Sequence, residues 1–210
     1  AGTYTAVADA VLLMKEGVRL YGGFAGNETE LEQRDWETSV TVIDGENTRP
    51  CVMGADNAVL DGFTVTRGYD YDFYGGSAIG ILNNGTSPII QNCAFVLIQG
   101  YWGAAIYNSI ASPEIVNCTF SNNNVRGIYT YGGNPSIMGC AFINNTGGGI
   151  YSQGEGENWW GTGTETNITL QDCLFIGNTA NHGAAIYQER SSLNATNCVF
   201  LNNAAEYNGG

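Results

Sequence analysis

The chain has 210 residues, and its 20 Asp and Glu against seven Lys and Arg give a formal net charge of −13 and a pI near 4.1. So few basic residues cannot form a phosphate-binding stripe, so we expect no nucleic-acid binding. No apolar run approaches the roughly 20 residues of a membrane span, and the acidic charge would repel anionic lipid headgroups, so we expect no membrane insertion. The 30 glycines and many asparagines indicate frequent tight turns, because both residues tolerate positive φ.

Residues 1–65 carry a β pattern without the phrase that repeats later. Three short apolar runs, each followed by Gly, Asp or Asn turn signals, lie at residues 11–14, 18–21 and 40–43. Residues 59–65 resemble a later strand in which Phe63 takes the place of a cysteine and Val65 that of a phenylalanine. A short helix over residues 6–14 is the alternative, since Ala, Leu and Met favour helix.

An aromatic, acidic insertion follows at residues 68–76 and is expected to project as a loop. Asp70 and Asp72 lie on one side of this loop and could bind Ca²⁺, but a solvated loop is the simpler interpretation, and we predict no metal site. Tyr71 is a candidate surface contact, because an exposed ring can stack on a sugar or on another protein.

From about residue 75 onward, three short phrases recur. Asn-Cys-x-Phe stands at residues 92–95, 117–120 and 197–200, with degenerate copies at 139–142 and 172–175, so the cysteines are 25, 22, 33 and 25 residues apart. A phrase ending in Ile-Tyr stands at residues 104–107, 127–129, 149–151 and 185–187, and a phrase containing Pro at 87–90, 112–115 and 134–137. Three strand-like phrases in a unit of about 22 residues predict a solenoid, in which each unit stacks on its neighbours.

The predicted fold is all-β: one domain over residues 1–210, a single-stranded right-handed parallel β-helix of about seven to nine coils. In Asn-Cys-x-Phe the cysteine and the phenylalanine are two residues apart and share a strand face, so stacking at about 4.8 Å predicts two internal columns. The cysteine column is Cys93, Cys118, Cys140, Cys173 and Cys198, and the phenylalanine column is Phe95, Phe120, Phe142, Phe175 and Phe200. Asparagines in the following turns can stack in the same way, with amides bonded along the column.

The six cysteines could form a disulfide framework. However, side chains stacked on adjacent coils point in parallel directions, which strains a bridge between them. We therefore favour buried free thiols, with Cys51, outside the repeat, as the first exception to consider.

We predict no catalytic residues and no cofactor. Glycoside hydrolysis needs two carboxylates at a fixed separation, and no predicted strand presents a close acidic pair on successive coils. Arg126 and Arg190 have no acidic cluster at matching repeat positions, as a lyase would require. The single histidine, His182, lies in a sequence typical of a turn, which argues against a Ser-His-Asp triad or a multi-histidine metal site.

A second insertion, at residues 152–166, accounts for the longest cysteine spacing. It contains Trp159 and Trp160, which with Trp102 are further candidate surface contacts, although part of the aromatic set could simply cover the column. Six Asn-x-Ser/Thr sequons are candidate glycosylation sites: Asn27, Asn84, Asn117, Asn144, Asn167 and Asn194.

Residues 75–210 resemble the right-handed β-helix repeat of the chlamydial polymorphic outer-membrane proteins, written Gly-Gly-Ala-Ile and Phe-x-x-Asn. The first element stands at residues 103–106, 147–150 and 183–186, and the second at 120–123, 142–145, 175–178 and 200–203, whereas Ile98 breaks it after Phe95. Residues 21–29 and 33–36 are similar to the opening coils of large secreted bacterial β-helix proteins. The resemblance implies a surface protein, mainly an adhesin or a passenger domain.

We therefore expect a non-enzymatic, extracellular or cell-surface structural or adhesive module. The alternative is a secreted protein that binds or cleaves polysaccharide through its aromatic insertions. Expected partners are other surface proteins, glycans or further copies of the chain. Axial stacking of copies would generate a filament, because a head-to-tail contact of this kind does not close; the other interpretation is that the sequence is a piece of a longer solenoid.

Overall fold

A computed structural model describes residues 1–5, 9–71, 77–154 and 165–209. Apart from a 3₁₀ turn at Leu31–Gln33, the regular elements of these residues are 24 β-strands. The strands form three long sheets and one two-stranded sheet, and every pair of named strands is parallel.

The three long sheets run the length of the described chain. Sheet 1 contains β1 (Gly2–Tyr4), β4 (Thr41–Asp44), β7 (Phe63–Thr66), β10 (Ala94–Val96), β13 (Thr119–Ser121), β16 (Ala141–Ile143), β19 (Leu174–Ile176) and β23 (Val199–Leu201). Sheet 2 contains β2 (Leu12–Leu13), β5 (Val52–Met53), β8 (Ala78–Asn84), β11 (Gly103–Ser109), β14 (Arg126–Tyr131), β17 (Ile150–Gln153) and β21 (Ile186–Glu189). Sheet 3 contains β3 (Arg19–Tyr21), β6 (Val59–Asp61), β9 (Ile89–Gln91), β12 (Glu114–Val116), β15 (Ser136–Met138), β18 (Thr166–Gln171) and β22 (Ser191–Thr196).

The chain visits sheets 1, 2 and 3 in turn and then returns to sheet 1, one strand further along. Eight strands in sheet 1 and seven in each of the others make seven complete coils and the start of an eighth. The short fourth sheet, β20 (Thr179–His182) with β24 (Ala204–Asn208), joins the last two coils. The predicted right-handed parallel β-helix and its number of coils are thus confirmed.

Residues in the left-handed backbone conformation lie on both sides of the sheet 1 strands and end them after a few residues. In the coil of β13, Asn117 at φ 51° and Asn122 at φ 55° flank the three-residue strand and its cysteine. Asparagine is a good residue here, because its short polar side chain tolerates this backbone region. The Asn-rich phrases therefore mark the two corners on either side of sheet 1.

The phenylalanine column fills the interior beneath sheet 1. Register pairs align Phe95 with Phe120 and Phe120 with Phe142, and their ring centroids are 4.7 Å apart in both pairs. Toward the first coils the same column continues through Val65. At its other end Phe200 stacks on Phe175 at 4.9 Å but is 49% exposed, because no described coil lies over it.

The cysteines lie beside this column. Cys93, Cys118, Cys140 and Cys173 are buried, Cys198 on the last coil is half-buried, and all six cysteines, Cys51 included, are free thiols. Cys51 is fully buried, and its thiol donates a hydrogen bond to the Thr66 carbonyl at 3.1 Å. Burial raises the pKa of the Cys51 thiol to about 12, so it is an inert apolar group at neutral pH.

An asparagine ladder joins the last four coils at one corner. The Asn145 side-chain amide donates to the Phe120 carbonyl and to Asn178 Oδ1, both at 3.0 Å, while its own Oδ1 accepts from Asn123 Nδ2 at 3.0 Å. Asn178 continues the chain of amides to Asn203 at 2.9 Å. The predicted bonding of turn amides along the column is confirmed, and it explains Phe-x-x-Asn: the asparagine binds the phenylalanine carbonyl of the neighbouring coil.

Small residues in sheet 2 make room for the phenylalanines. A Cβ on Gly127 would lie 2.7 Å from a carbon of the Phe142 ring, and one on Gly149 would lie 2.9 Å from Phe175. Such distances leave no space for a methyl group on these two coils, whereas Ala105 and Ala185 occupy the same position on the coils to either side.

Both predicted insertions are shorter in the structure than the sequence suggested, because residues at their ends take part in β pairing. Of residues 68–76, Asp70 pairs with Ser77 in an isolated antiparallel bridge, while residues 72–76, including Asp72, lie outside the described residues. Of residues 152–166, residues 152–153 belong to strand β17 and residue 166 begins strand β18. The prediction of a turn at His182 is wrong, since this residue ends strand β20.

Replacing Phe120 with Ala should destabilise the fold by about 3–5 kcal/mol, because a fully buried ring would leave a cavity between two stacked neighbours. Chemical denaturation of the 210-residue chain measures this free energy of unfolding. Phe200→Ala is the matched control, since it removes the same ring from the half-exposed end of the stack. Equal losses in the two variants would show that stacking inside the column does not govern stability.

Replacing Asn145 with Ala should cost about 2–4 kcal/mol, because it leaves several buried groups of the two adjacent coils without partners. Thermal or chemical denaturation against the neighbouring Asn144→Gly checks this. Asn144 is exposed at φ 53°, where glycine fits without strain. If both variants have the same free energy of unfolding as the parent protein, the asparagine ladder contributes nothing to stability.

Candidate functional site

A row of aromatic side chains follows the outer surface of sheet 2. In the last four strands of this sheet an isoleucine packs toward the core and the next residue, a tyrosine, points outward. Because the strands are in register, the tyrosines stand one above another on successive coils, as Tyr107, Tyr129, Tyr151 and Tyr187. Their ring centroids are 4.6, 5.1 and 4.9 Å apart. The outward row is therefore a direct product of strand register.

The tyrosines cover one another's faces; Tyr107 at one end of the row is buried, whereas Tyr129, Tyr151 and Tyr187 are partly exposed. The Tyr129 hydroxyl lies 2.9 Å from Gln153 Oε1, and the Tyr151 hydroxyl donates to Glu189 Oε2 at 3.2 Å. Burial and the nearby Glu189 carboxylate raise the pKa of the Tyr151 phenol to about 12. This phenol is consequently protonated at neutral pH and serves as a hydrogen-bond donor, not as a base.

Arg126 lies against this row. It begins strand β14, on the same outer face as Tyr129, and its guanidinium carbon is 4.6 Å from the ring centre of Tyr151, 5.7 Å from that of Trp102 and 5.8 Å from that of Tyr129. Such distances are typical of cation–π contacts. Burial lowers the pKa of the guanidinium, but an arginine remains charged at neutral pH. The site thus holds a fixed positive charge among aromatic rings.

Trp102 and Tyr101 provide the aromatic surface that is open to a ligand. Trp102 lies immediately before strand β11 and is 56% exposed, and Tyr101 is 92% exposed. Their rings meet edge to face, with centroids 6.3 Å apart. In contrast to the stacked tyrosines, these rings are not enclosed by a column.

Two grooves adjoin the Trp102–Arg126 contact, with volumes of about 580 and 590 Å³. The first is lined by Ser77, Trp102, Gly103, Tyr107, Arg126, Tyr129, Tyr131, Tyr151 and Gln153. The second extends from Tyr101 across Arg126 and Tyr151 to His182 and Tyr187. Both volumes are in the range of small-molecule sites. We call these two grooves together, with their lining, the aromatic groove.

The sequence-predicted surface residues have different places in the structure. Trp102 lies in the aromatic groove. Tyr71 is exposed and packs edge-on against Tyr69 at 4.7 Å, with no described contact to the groove. Trp159 and Trp160 lie outside the described residues. The six sequon asparagines, Asn27, Asn84, Asn117, Asn144, Asn167 and Asn194, are all exposed.

Sequence reasoning considered Arg126 only as the base of a lyase, and it did not predict that the tyrosines form a continuous row beside it. The signal for the row was present, because Ile-Tyr recurs at one position of the repeat and period two places the tyrosine outside. Arg126 gave no such signal, since its register partner on the preceding coil is Ala104. Arg126 contacts Tyr151 on the next coil and Trp102 before strand β11. No local sequence pattern indicates that these three residues meet.

Acid–base and metal groups are sparse in the part of the chain that the structure describes. No group of three or more His, Cys, Asp or Glu residues there could hold a metal ion. None of the described groove residues is an Asp or a Glu, so the lining brings no carboxylate pair together. The arrangement is suited to holding a polar ligand with a flat apolar face.

Residues 53–210 match the family model of a right-handed β-helix region. This match covers most of the chain and includes every residue of the aromatic groove. Comparison with curated proteins and with solved structures finds no match. Among the described residues, none forms a helix with the length and apolar character needed to cross a membrane.

Proposed function

The chain belongs to the right-handed β-helix family, and we propose that it is a non-enzymatic adhesive module that binds carbohydrate in the aromatic groove of sheet 2. The family contains both enzymes and non-enzymes, so the proposal depends on the site and not on the fold. The observation that carries it is the exposed Trp102 ring beside a row of phenol and amide groups. A sugar presents an apolar face and a rim of hydroxyls, and these surfaces match such a lining.

Three features support carbohydrate over another small ligand. The groove is long, because its lining continues across four coils from Tyr107 to Tyr187. Its open side suits a chain that extends past both ends of the contact. Its polar groups, such as Gln153 and the tyrosine hydroxyls, are hydrogen-bonding side chains of the kind that fix orientation in binding sites.

Binding without cleavage is favoured by the chemistry of the described lining. Hydrolysis of a glycosidic bond uses two carboxyl groups about 5–10 Å apart, one as acid and one as base or nucleophile. Among the described contacts, Glu189 meets the groove at the Tyr151 hydroxyl and is also paired with Arg190 at 3.1 Å. A second carboxylate that faces it is not among the described groove residues.

An extracellular or cell-surface location is part of the proposal. It is supported by the single lysine and the abundant Asn, Thr and Gly in the sequence, and by the exposed position of the six sequon asparagines. The specific resemblance to the chlamydial repeat proteins and the end-to-end association of copies stay predictions.

A panel of immobilised oligosaccharides tests the proposal. We expect the protein to retain a defined subset, and Trp102→Ala to weaken this binding about tenfold or more, equivalent to about 1.4 kcal/mol. Tyr71→Ala is the matched control, because it removes an exposed ring outside the groove and should leave binding unchanged. The bound glycans should release no reducing ends on incubation. Absence of any retained glycan, or loss with Tyr71→Ala but not with Trp102→Ala, would contradict the assignment.

A further inference from the structure

Arg126 differs from most arginines of the chain in its partners. Arg34 pairs with Asp61 at 2.6 Å, Arg49 with Glu46 at 4.0 Å, Arg190 with Glu189 at 3.1 Å, and Arg67 with Asp44. In the described part of the chain, Arg126 takes part in no ion pair and no hydrogen bond from its guanidinium. Its neighbours are the rings of Trp102, Tyr129 and Tyr151.

A half-buried guanidinium without an acidic partner is unusual for this chain. Acidic residues outnumber basic ones by 20 to seven, so a carboxylate near any given arginine is the common outcome. Nevertheless, the described lining of both grooves that meet at Arg126 contains no Asp or Glu. Among the described residues, the donors of Arg126 thus have no acidic acceptor, which makes them available to a ligand.

The aromatic rings determine what that ligand can be. Three rings lie 4.6 to 5.8 Å from the guanidinium carbon, and ring faces attract the charge without accepting its in-plane N–H bonds, so these donors can serve an acceptor in the groove. Carboxylate and sulfate oxygens match this fork of donors and form stronger bonds with it than a neutral hydroxyl does.

We propose that the aromatic groove recognises an acidic sugar, with the carboxylate or sulfate of the glycan bound by Arg126 while a neighbouring sugar ring packs on Trp102. This inference rests on the proposed carbohydrate binding and specifies its ligand class. The site is one cation on a molecule with a net charge of −13, which repels dense polyanions. The ligand is therefore a glycan with isolated anionic groups and not a uniformly charged polymer.

The experiment compares matched glycans: lactose, the same disaccharide carrying one sialic acid, and the same disaccharide carrying one sulfate, beside a polyuronate, all titrated by calorimetry. The wild-type protein should bind the sialylated or the sulfated form about tenfold to a hundredfold more tightly than lactose, as one charge-assisted contact would give. The stronger of the two acidic forms identifies the anion. Polyuronate should bind more weakly per site than the better acidic disaccharide at low salt.

Arg126→Gln should remove the preference for the acidic form, and Arg126→Lys should restore part of it. Arg19→Gln is the matched control, because Arg19 is exposed on sheet 3 in the first coil and its loss changes the net charge equally. Thermal denaturation of Arg126→Gln separates lost recognition from lost folding.

The outcomes distinguish the two proposals. Equal affinity for neutral and acidic forms, or an acidic preference that survives Arg126→Gln, would overturn the acidic-sugar inference and leave carbohydrate binding intact. If none of the four probes and no glycan of the immobilised panel binds, both proposals are wrong.

Discussion

Parallel hydrogen bonding between successive coils, locked in one register, is the constraint on which the rest of this structure depends. Once a strand of each sheet pairs with its counterpart on the next coil, a residue type at one position of the repeat becomes a continuous column. Phenylalanine stacks on phenylalanine inside and tyrosine on tyrosine outside. The asparagine ladder fixes this register at a corner, because a shift of one residue would unpair the Asn145 amide from Phe120 and from its neighbouring amides at once.

The register between coils also explains how a repeat that builds the core can hold a binding groove on its outer face. A core position accepts only a side chain that stacks in the phenylalanine column or one small enough not to collide with it, as the 2.7 Å distance from a Cβ on Gly127 to the Phe142 ring shows. The outer face of sheet 2 has no such requirement, so its side chains can vary from coil to coil. Arg126 occupies a position held by Ala104 on the coil before, and its charge lies against the tyrosine of the coil after. One substitution in a regular column is enough to create a distinct surface.

Much of the fold could be predicted from the sequence, because its determinants are local and repeated. The two-residue spacing of Cys140 and Phe142 gives a shared face, and the asparagine after the phenylalanine gives the corner. The site could be predicted only in part. The sequence identified Trp102 as a candidate surface aromatic, but its contact with Arg126 depends on the length of the whole coil between them. Whether His182 ends a strand depends likewise on its pairing with the following coil.

Stacking of the coils brings Trp102, Arg126 and Tyr151 together, and we propose that they bind an acidic glycan. A crystal structure of the protein with the acidic disaccharide that it binds best tests this proposal. We expect density for a sugar ring against Trp102, with the anionic group within hydrogen-bond distance of the Arg126 guanidinium. A ligand bound elsewhere on the coil surface, or one in the groove whose anionic group points to the solvent, would contradict it.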